Sequence, residues 1–299
     1  MEQKEETIRS LADLLVILGN SDLDQGTSLK YYFRGESIYG RPLIPKIARN
    51  SILLGENGMP GLIRENSTIR EIQSRLLQRL KRYAVHVYLQ NNRPWQGEQP
   101  SDWEWLSVAQ HHGLPTLLLD WSINPLVALY FSDWKYSGEK DGVFYQMELQ
   151  DKGFRDKHNL TVRVGQIKNR FNEDEISSNF EGKEMPFVEA RNALIIVPLV
   201  FTRRIEAQSA RFIYAGYMIK DKNKVKAESI KSNNSEFYTD SALDKQSNKR
   251  LPWKKITKYK IPAESKASLL RQLRNAQIHH GTLFPDLDGY ANYLRMGGD

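Results

Sequence analysis

The stretch WLSVAQHHGLPTLLLDWSINPLVALYF, Trp105 to Phe131, passes from a helix through a turn into a short apolar run and out into a second helix. Gln110, His111 and His112 close the first helical pattern, Gly113-Leu114-Pro115 turns the chain, Thr116 to Leu119 suits a buried strand, and Asp120 stands at its end. Asn124-Pro125 then opens the second helix, because Asn is a good N-cap and Pro is at home at the first helical position. A polar cluster between a buried strand and a helix N-terminus is where folds that mix helix and strand commonly hold ligand groups.

Working outward, Ile8, Leu11, Leu14, Leu15 and Leu18 mark a helical face ending before Gly19-Asn20. Lys30 to Phe33 reads as a strand that delivers Arg34. Thr68 and Glu71 form a capping-box pattern ahead of an amphipathic helix, marked by Ile72, Leu76, Leu80 and Val87, that runs to about Asn91. Ser101 and Glu104 repeat the capping signal before Trp105. Gly142 to Leu149, Ala193 to Phe201, Arg211 to Met218 and Lys254 to Ile261 read as strands. Glu264 to His279 reads as a helix with Leu269, Leu270, Leu273 and Ile278 facing in, and Asp286 to Leu294 as a final helix packed on the core. Residues 220–250 are short of large apolar side chains and dense in Lys, Ser, Asn and Asp, which predicts a mobile insertion. The expectation is one α+β domain over residues 1–299, with a central mixed sheet split by helices and an N-terminal helical part at 1–29.

Composition narrows the functional classes. The 299 residues, 40% hydrophobic, can bury a full core. The absence of cysteine excludes disulfides and thiolate metal sites. The start MEQKEETIRS is acidic where a signal peptide is basic, and no apolar run reaches membrane-spanning length, so a soluble, cytoplasmic protein with no membrane partner is expected. A net charge of +7 favours anionic partners, RNA or DNA among them. No Gly-x-Gly-x-x-Gly, P-loop or Gly-x-Ser-x-Gly element is present, which removes the usual support for Rossmann, P-loop and hydrolase readings.

Several residues invite chemistry. Arg34, between Phe33 and Gly35 at a strand end, suits a bidentate clamp on a phosphate or carboxylate; it equally suits an ion pair with Asp120 or Glu36 that holds the fold. Asp120 after three leucines must be paired or functional. His111 and His112 point about 100° apart on a helix, so one can enter a site. The remaining histidines lack ligand spacing, and no metal centre is expected. Glu206-x-Gln208 suits an exposed strand edge as well as a site. Trp95, Trp103, Trp105 and Trp121 suit the core, or stacking on a base.

Taken together, these residues resemble the FRG family, bacterial domains named for a Phe/Tyr-Arg-Gly motif. The resemblance is carried by Phe33-Arg34-Gly35-Glu36 followed by Leu43-Ile44-Pro45-Lys46 and Arg49. It continues through Ala109 to Thr116, Leu118 to Ser122 and Asn124 to Phe131, then Arg204 to Gln208 with Phe212, and Leu283 to Leu287. Leu117 stands where Arg is expected and Ala210 where Gly is expected. A weaker resemblance links Arg34, the Thr116–Ser122 strand and Glu206-x-Gln208 to the three motifs of ADP-ribosyltransferases. It implies that fold and NAD as substrate, bound by Arg34, Gly35, His111, Thr116 and Ser122, with Glu206, Gln208 and Asp120 catalytic. Cleaving the nicotinamide–ribose bond builds positive charge that a carboxylate or amide stabilises. The family resemblance further implies a toxin or phage-defence effector, modifying nucleic acid or protein and held by an inhibitory partner. Two alternatives stand beside it: a non-catalytic module that recognises a nucleotide or nucleic-acid end, and a phosphodiester-cleaving enzyme using His111 and Asp120.

Overall fold

A computed structural model describes residues 6–20, 31–41, 43–49, 69–91, 101–134, 139–158, 160–164, 193–198, 202–214 and 251–297. It is α+β, built on a seven-stranded mixed sheet. β1 (Tyr31–Glu36) lies between β2 (Leu118–Ser122) and β3 (Gly142–Leu149). Beyond β2 come β6 (Ala210–Tyr214), β5 (Leu194–Val197) and β4 (Thr161–Arg163), and β7 (Trp253–Ile261) lies outside β3. Neighbours run antiparallel except β4 and β5.

Strand alternation sends side chains to two separate cores. Tyr32, Val143, Tyr145 and Met147 join the core beneath α2 (Ile69–Asn91) and α3 (Asp102–His111). Phe33 and Phe144 face the opposite core, with Val127 and Leu129 of α4 (Pro125–Asp133), Leu14 of α1 (Leu11–Asn20), and Leu269 and Leu273 of α7 (Ala263–Asn275). Between β3 and β7 the chain also forms α5 (Lys152–Lys157) and α6 (Arg203–Ala207). The last elements are α8 (His280–Leu283) and α9 (Leu287–Arg295). Among the described residues no helix is long and apolar enough to cross a membrane.

The strongest local signals hold. The capping box at Ser101 and Glu104 opens α3, and the Asn124 side chain accepts from the Leu126 amide to open α4 with Pro125 at its first turn. Other boundaries move for identifiable reasons. Ser10 and Asp13 cap α1 reciprocally, so the helix starts at Leu11 and leaves Ile8 outside, where its amide donates to the Lys260 carbonyl. The Thr116 hydroxyl accepts from the Leu118 amide and keeps Thr116 out of the ladder; β2 therefore starts later than expected and carries Asp120 at its middle. Glu206-x-Gln208 is no strand edge: Thr202 caps a helix there, and Gln208 ends it. α7 stops at Asn275, short of Ile278. α9 does not bury its apolar residues, since Leu287 is 90% exposed and Tyr290 and Leu294 about half exposed. The insertion expected at 220–250, Thr68 and Trp95 lie outside the described residues.

Candidate functional site

β1 and β2 meet only at Phe33 opposite Ser122, whereas β1 pairs with β3 at six positions. Where the β1–β2 ladder stops, the Arg34 side chain crosses instead: Nη1 donates to the Asp120 carbonyl at 2.5 Å and Nη2 to the Glu36 carboxylate at 3.2 Å. A cavity of about 310 Å³ opens at this splay, within the size range of small-molecule sites. Residues from both faces of the sheet line it, including Arg34 and Glu36 from one face of β1 and Phe33 and Gly35 from the other.

One side of the cavity is an arginine cluster organised by a carboxylate. Glu36 lies 3.2 Å from Arg34, 3.4 Å from Arg49 and 3.8 Å from Arg41. Burial by itself raises the Glu36 pKa, but the guanidiniums of Arg34, Arg49 and Arg41 outweigh it and hold the carboxyl below its ordinary value. The 3₁₀ turn Lys46–Ala48 is anchored by buried Ile47 and Ala48, and it carries Lys46 and Arg49 to the cavity wall. Lys46 also donates to the Gly113 carbonyl at 2.7 Å. Among the described residues, five cations line the cavity (Arg34, Arg41, Lys46, Arg49 and Arg204) against two carboxylates, Glu36 and Asp120. The surplus favours an anionic ligand, and field lines concentrate in such a cleft.

The buried Nε–H groups of Arg34 and Arg49 and the indole N–H of Trp121 have no acceptor among the described residues, and all three residues line the cavity. All three atoms are shut off from solvent, so a ligand held in the cavity does not reach them without rearrangement.

Opposite the arginines, Asp120 is exposed to the cavity and accepts from the Gln110 amide at 2.9 Å. The Gln110 carbonyl accepts in turn from the Thr116 hydroxyl at 2.5 Å, which fixes which end of the amide faces Asp120. His111 lines the cavity next to Gln110, with its Nδ1 3.4 Å from the Thr202 hydroxyl. Burial first, and then the Arg204 charge, lower its pKa to about 4, so the imidazole is neutral at pH 7. Arg204 lies over the Phe284 ring at 4.4 Å and donates to the His111 carbonyl. Gln208 lines the cavity; its side-chain amide nitrogen donates to the Leu283 carbonyl and its backbone carbonyl accepts from the Ser122 hydroxyl at 2.8 Å.

The structure thus brings together Arg34, Gly35, His111, Asp120, Ser122 and Gln208. Thr116 is buried behind Gln110 and does not line the cavity, and Glu206 is exposed on α6 outside it. Gly35 does not leave free backbone for a ligand on its α4 side: a Cβ there would overlap the Ala128 carbonyl and the Ser132 amide, so the glycine lets α4 lie against β1. Leu117 is fully buried in the core, and the cavity's cations come from other positions. At Ala210 the positive φ falls one residue earlier, at Ser209 (47°), which spares the alanine any strain. Sequence reasoning missed Glu36, Arg41, Lys46, Arg49, Gln110 and Arg204 as site residues. All but Arg41 stand in the segments that carry the family resemblance, and the Lys46-x-x-Arg49 spacing sets two of them on one side of a helical turn.

The FRG domain family model matches residues 29–141. No curated protein and no solved structure matches the chain. The matched region contributes the arginine cluster, Gln110, His111, Asp120 and α4, while Arg204, Gln208, Ala210 and Phe212 reach the same cavity from outside it.

Proposed function

We propose that this cavity binds NAD through its pyrophosphate and that the protein is an NAD-dependent ADP-ribosyltransferase-like effector. The observation that carries the reading is the pairing of surplus cations with one exposed carboxylate, Asp120, across the same small cavity. Arg34, Arg49, Lys46 and Arg204 offset the phosphate charges. In the reaction the nicotinamide–ribose bond breaks, nicotinamide leaves with the bonding pair, and an acceptor oxygen or nitrogen bonds the ribose carbon and loses its proton. Positive charge builds on the ribose as the bond lengthens, so Asp120, held by Gln110, stabilises the transition state more than bound NAD. Gln208 assists through its amide oxygen, whose nitrogen partner is already engaged by Leu283. The role first assigned to Glu206 passes to Asp120, because Glu206 lies outside the cavity. Modification of nucleic acid or protein by such an effector accords with a bacterial toxin or phage-defence role under an inhibitory partner.

A second reading, a non-catalytic nucleotide-binding module, is favoured by Glu36. The more buried carboxylate of the site is neutralised by three guanidiniums and is spent on structure. Labelled NAD incubated with the pure protein and a cell lysate separates the readings. Transferase activity predicts nicotinamide release and label in protein or RNA. Asp120→Asn and Gln208→Ala should each lower the rate by about a hundredfold with NAD affinity kept, and Glu206→Ala should have little effect. NAD binding without nicotinamide release leaves the module reading; RNA cleavage without it moves the assignment to phosphodiester chemistry by His111 and Asp120. A protein that does not bind NAD at all overturns the proposal.

A further inference from the structure

We infer that the ligand lies across the gap between β1 and β2, with its phosphates on the arginine face of the sheet and a planar aromatic base against Phe131 of α4 and Trp134 at its C-cap on the other; this rests on the nucleotide reading above. The two faces of the cavity differ in kind. Alternation along β1 sends Arg34 and Glu36 to the face that holds Arg41, Lys46 and Arg49, and sends Phe33 and Gly35 to the face covered by α4. The three α4 residues that line the cavity, Val127, Ala128 and Phe131, are all apolar, and Trp134, which caps the helix, adds a ring with a single N–H. A phosphate placed there loses hydration and gains no side-chain donor from Val127, Ala128 or Phe131. A flat, weakly polar group loses little and gains contact with two aromatic rings.

Those rings are only partly buried, so each still presents surface, and other rings pack against them. Trp134 stacks on Tyr130 with an 11° interplanar angle, and its centroid lies 5.3 Å from that of His280. Phe284 packs edge-on against Phe131 at 6.1 Å and lies 6.5 Å from Trp134. The close approach that sets this wall beside the arginines is the one Gly35 permits. A platform packed before binding adds stacking contact at little ordering cost. Arg204, over the Phe284 ring, marks where the charged side of the cavity meets the aromatic one.

Calorimetric titration of the full chain with ADP and with inorganic pyrophosphate tests the orientation. Base stacking should make ADP bind roughly tenfold or more tightly than pyrophosphate. Trp134→Leu and Phe131→Leu should each bring ADP down towards pyrophosphate and leave pyrophosphate unchanged, whereas Arg49→Gln should weaken both. ADP, and not pyrophosphate, should also quench the tryptophan fluorescence of the wild-type protein, a comparison that needs no variant to fold. Equal affinities for the two ligands in the wild type, or equal loss of both on Trp134→Leu with the fold intact, would overturn the orientation while keeping the anion site. Failure of both ligands to bind the wild type would overturn the nucleotide reading itself, and this inference with it.

Discussion

Glu36→Gln keeps the shape of the side chain at the centre of the arginine cluster and removes its charge. The pair with Arg41 contributes little, because that guanidinium is 38% exposed and water screens it. The pair with Arg34 is different, with the two side chains only 10% and 13% exposed. Unpairing a buried charge costs roughly 3–5 kcal/mol, and the lower figure applies here because Arg34 keeps the Asp120 carbonyl and glutamine keeps one acceptor. At about 2–4 °C per kcal/mol, a loss of about 3 kcal/mol lowers the melting temperature by roughly 6–12 °C. With the carboxylate gone, Arg34, Arg41 and Arg49 repel one another, so millimolar phosphate or pyrophosphate should restore part of the loss and stabilise the variant more than the wild type. The pH dependence has a definite sign. The native carboxyl titrates below its ordinary 4.5, so its stabilisation is present above that value and disappears as pH falls through the depressed pKa. Thermal unfolding followed by circular dichroism, at pH 7 and in acid, with and without phosphate, measures all three effects. A variant that melts with the wild type at pH 7, or that gains no more from phosphate, would refute the view of Glu36 as the hub of an anion site.

Asp133 is fully buried, its Oδ2 has no donor among the described residues, and burial pushes its pKa up to about 8 against the opposing effects of Ser132 and Lys266. The folded protein therefore retains a proton that the unfolded chain releases, and stability falls as pH rises from about 4 to about 8; Asp133→Asn should flatten that fall and gain on the order of a few kcal/mol at pH 9 in urea denaturation. Gly35→Ala forces a Cβ into the α4 backbone and should cost about 3 kcal/mol or more in the same assay, an outcome that a neutral substitution would contradict. Arg34→Lys cannot span the Asp120 carbonyl and Glu36 at once, so calorimetry should show pyrophosphate affinity falling by roughly tenfold although the charge is kept.

Sequence reading recovered features that depend on neighbours a few residues away. β3 spans Gly142–Leu149 as expected, because strand residues there alternate between two apolar cores. α3 and α4 begin at their caps, since a capping side chain and the amide it serves lie within three residues. It failed where a local rule met a distant partner. Asp120 reads as a strand end after three leucines, yet β2 continues through it because β6 pairs with all five residues from Leu118 to Ser122. The apolar run in α9 reads as a core helix and is largely exposed, because periodicity does not reveal whether a partner surface exists.

Within the site the same division applies. Arg34, Asp120, His111 and Ser122 were legible because each sits in or beside the compact FRG pattern, where a costly residue adjoins a strand or helix end. Their roles were not legible. That Arg34 grips a backbone carbonyl of β2, that Thr116 serves Gln110, and that Glu206 lies outside while Arg204 lies within all follow from tertiary packing. The sequence by itself determined the element types, the caps and the strand–turn–helix that carries the motif, because short-range sterics and hydrogen bonds act between residues close in the chain. Only the tertiary structure decided which charges share a cavity. The gap between β1 and β2, the approach of α4 across Gly35 and the arrival of Gln208 beside Ser122, 86 residues away, depend on strand register and helix packing between distant segments.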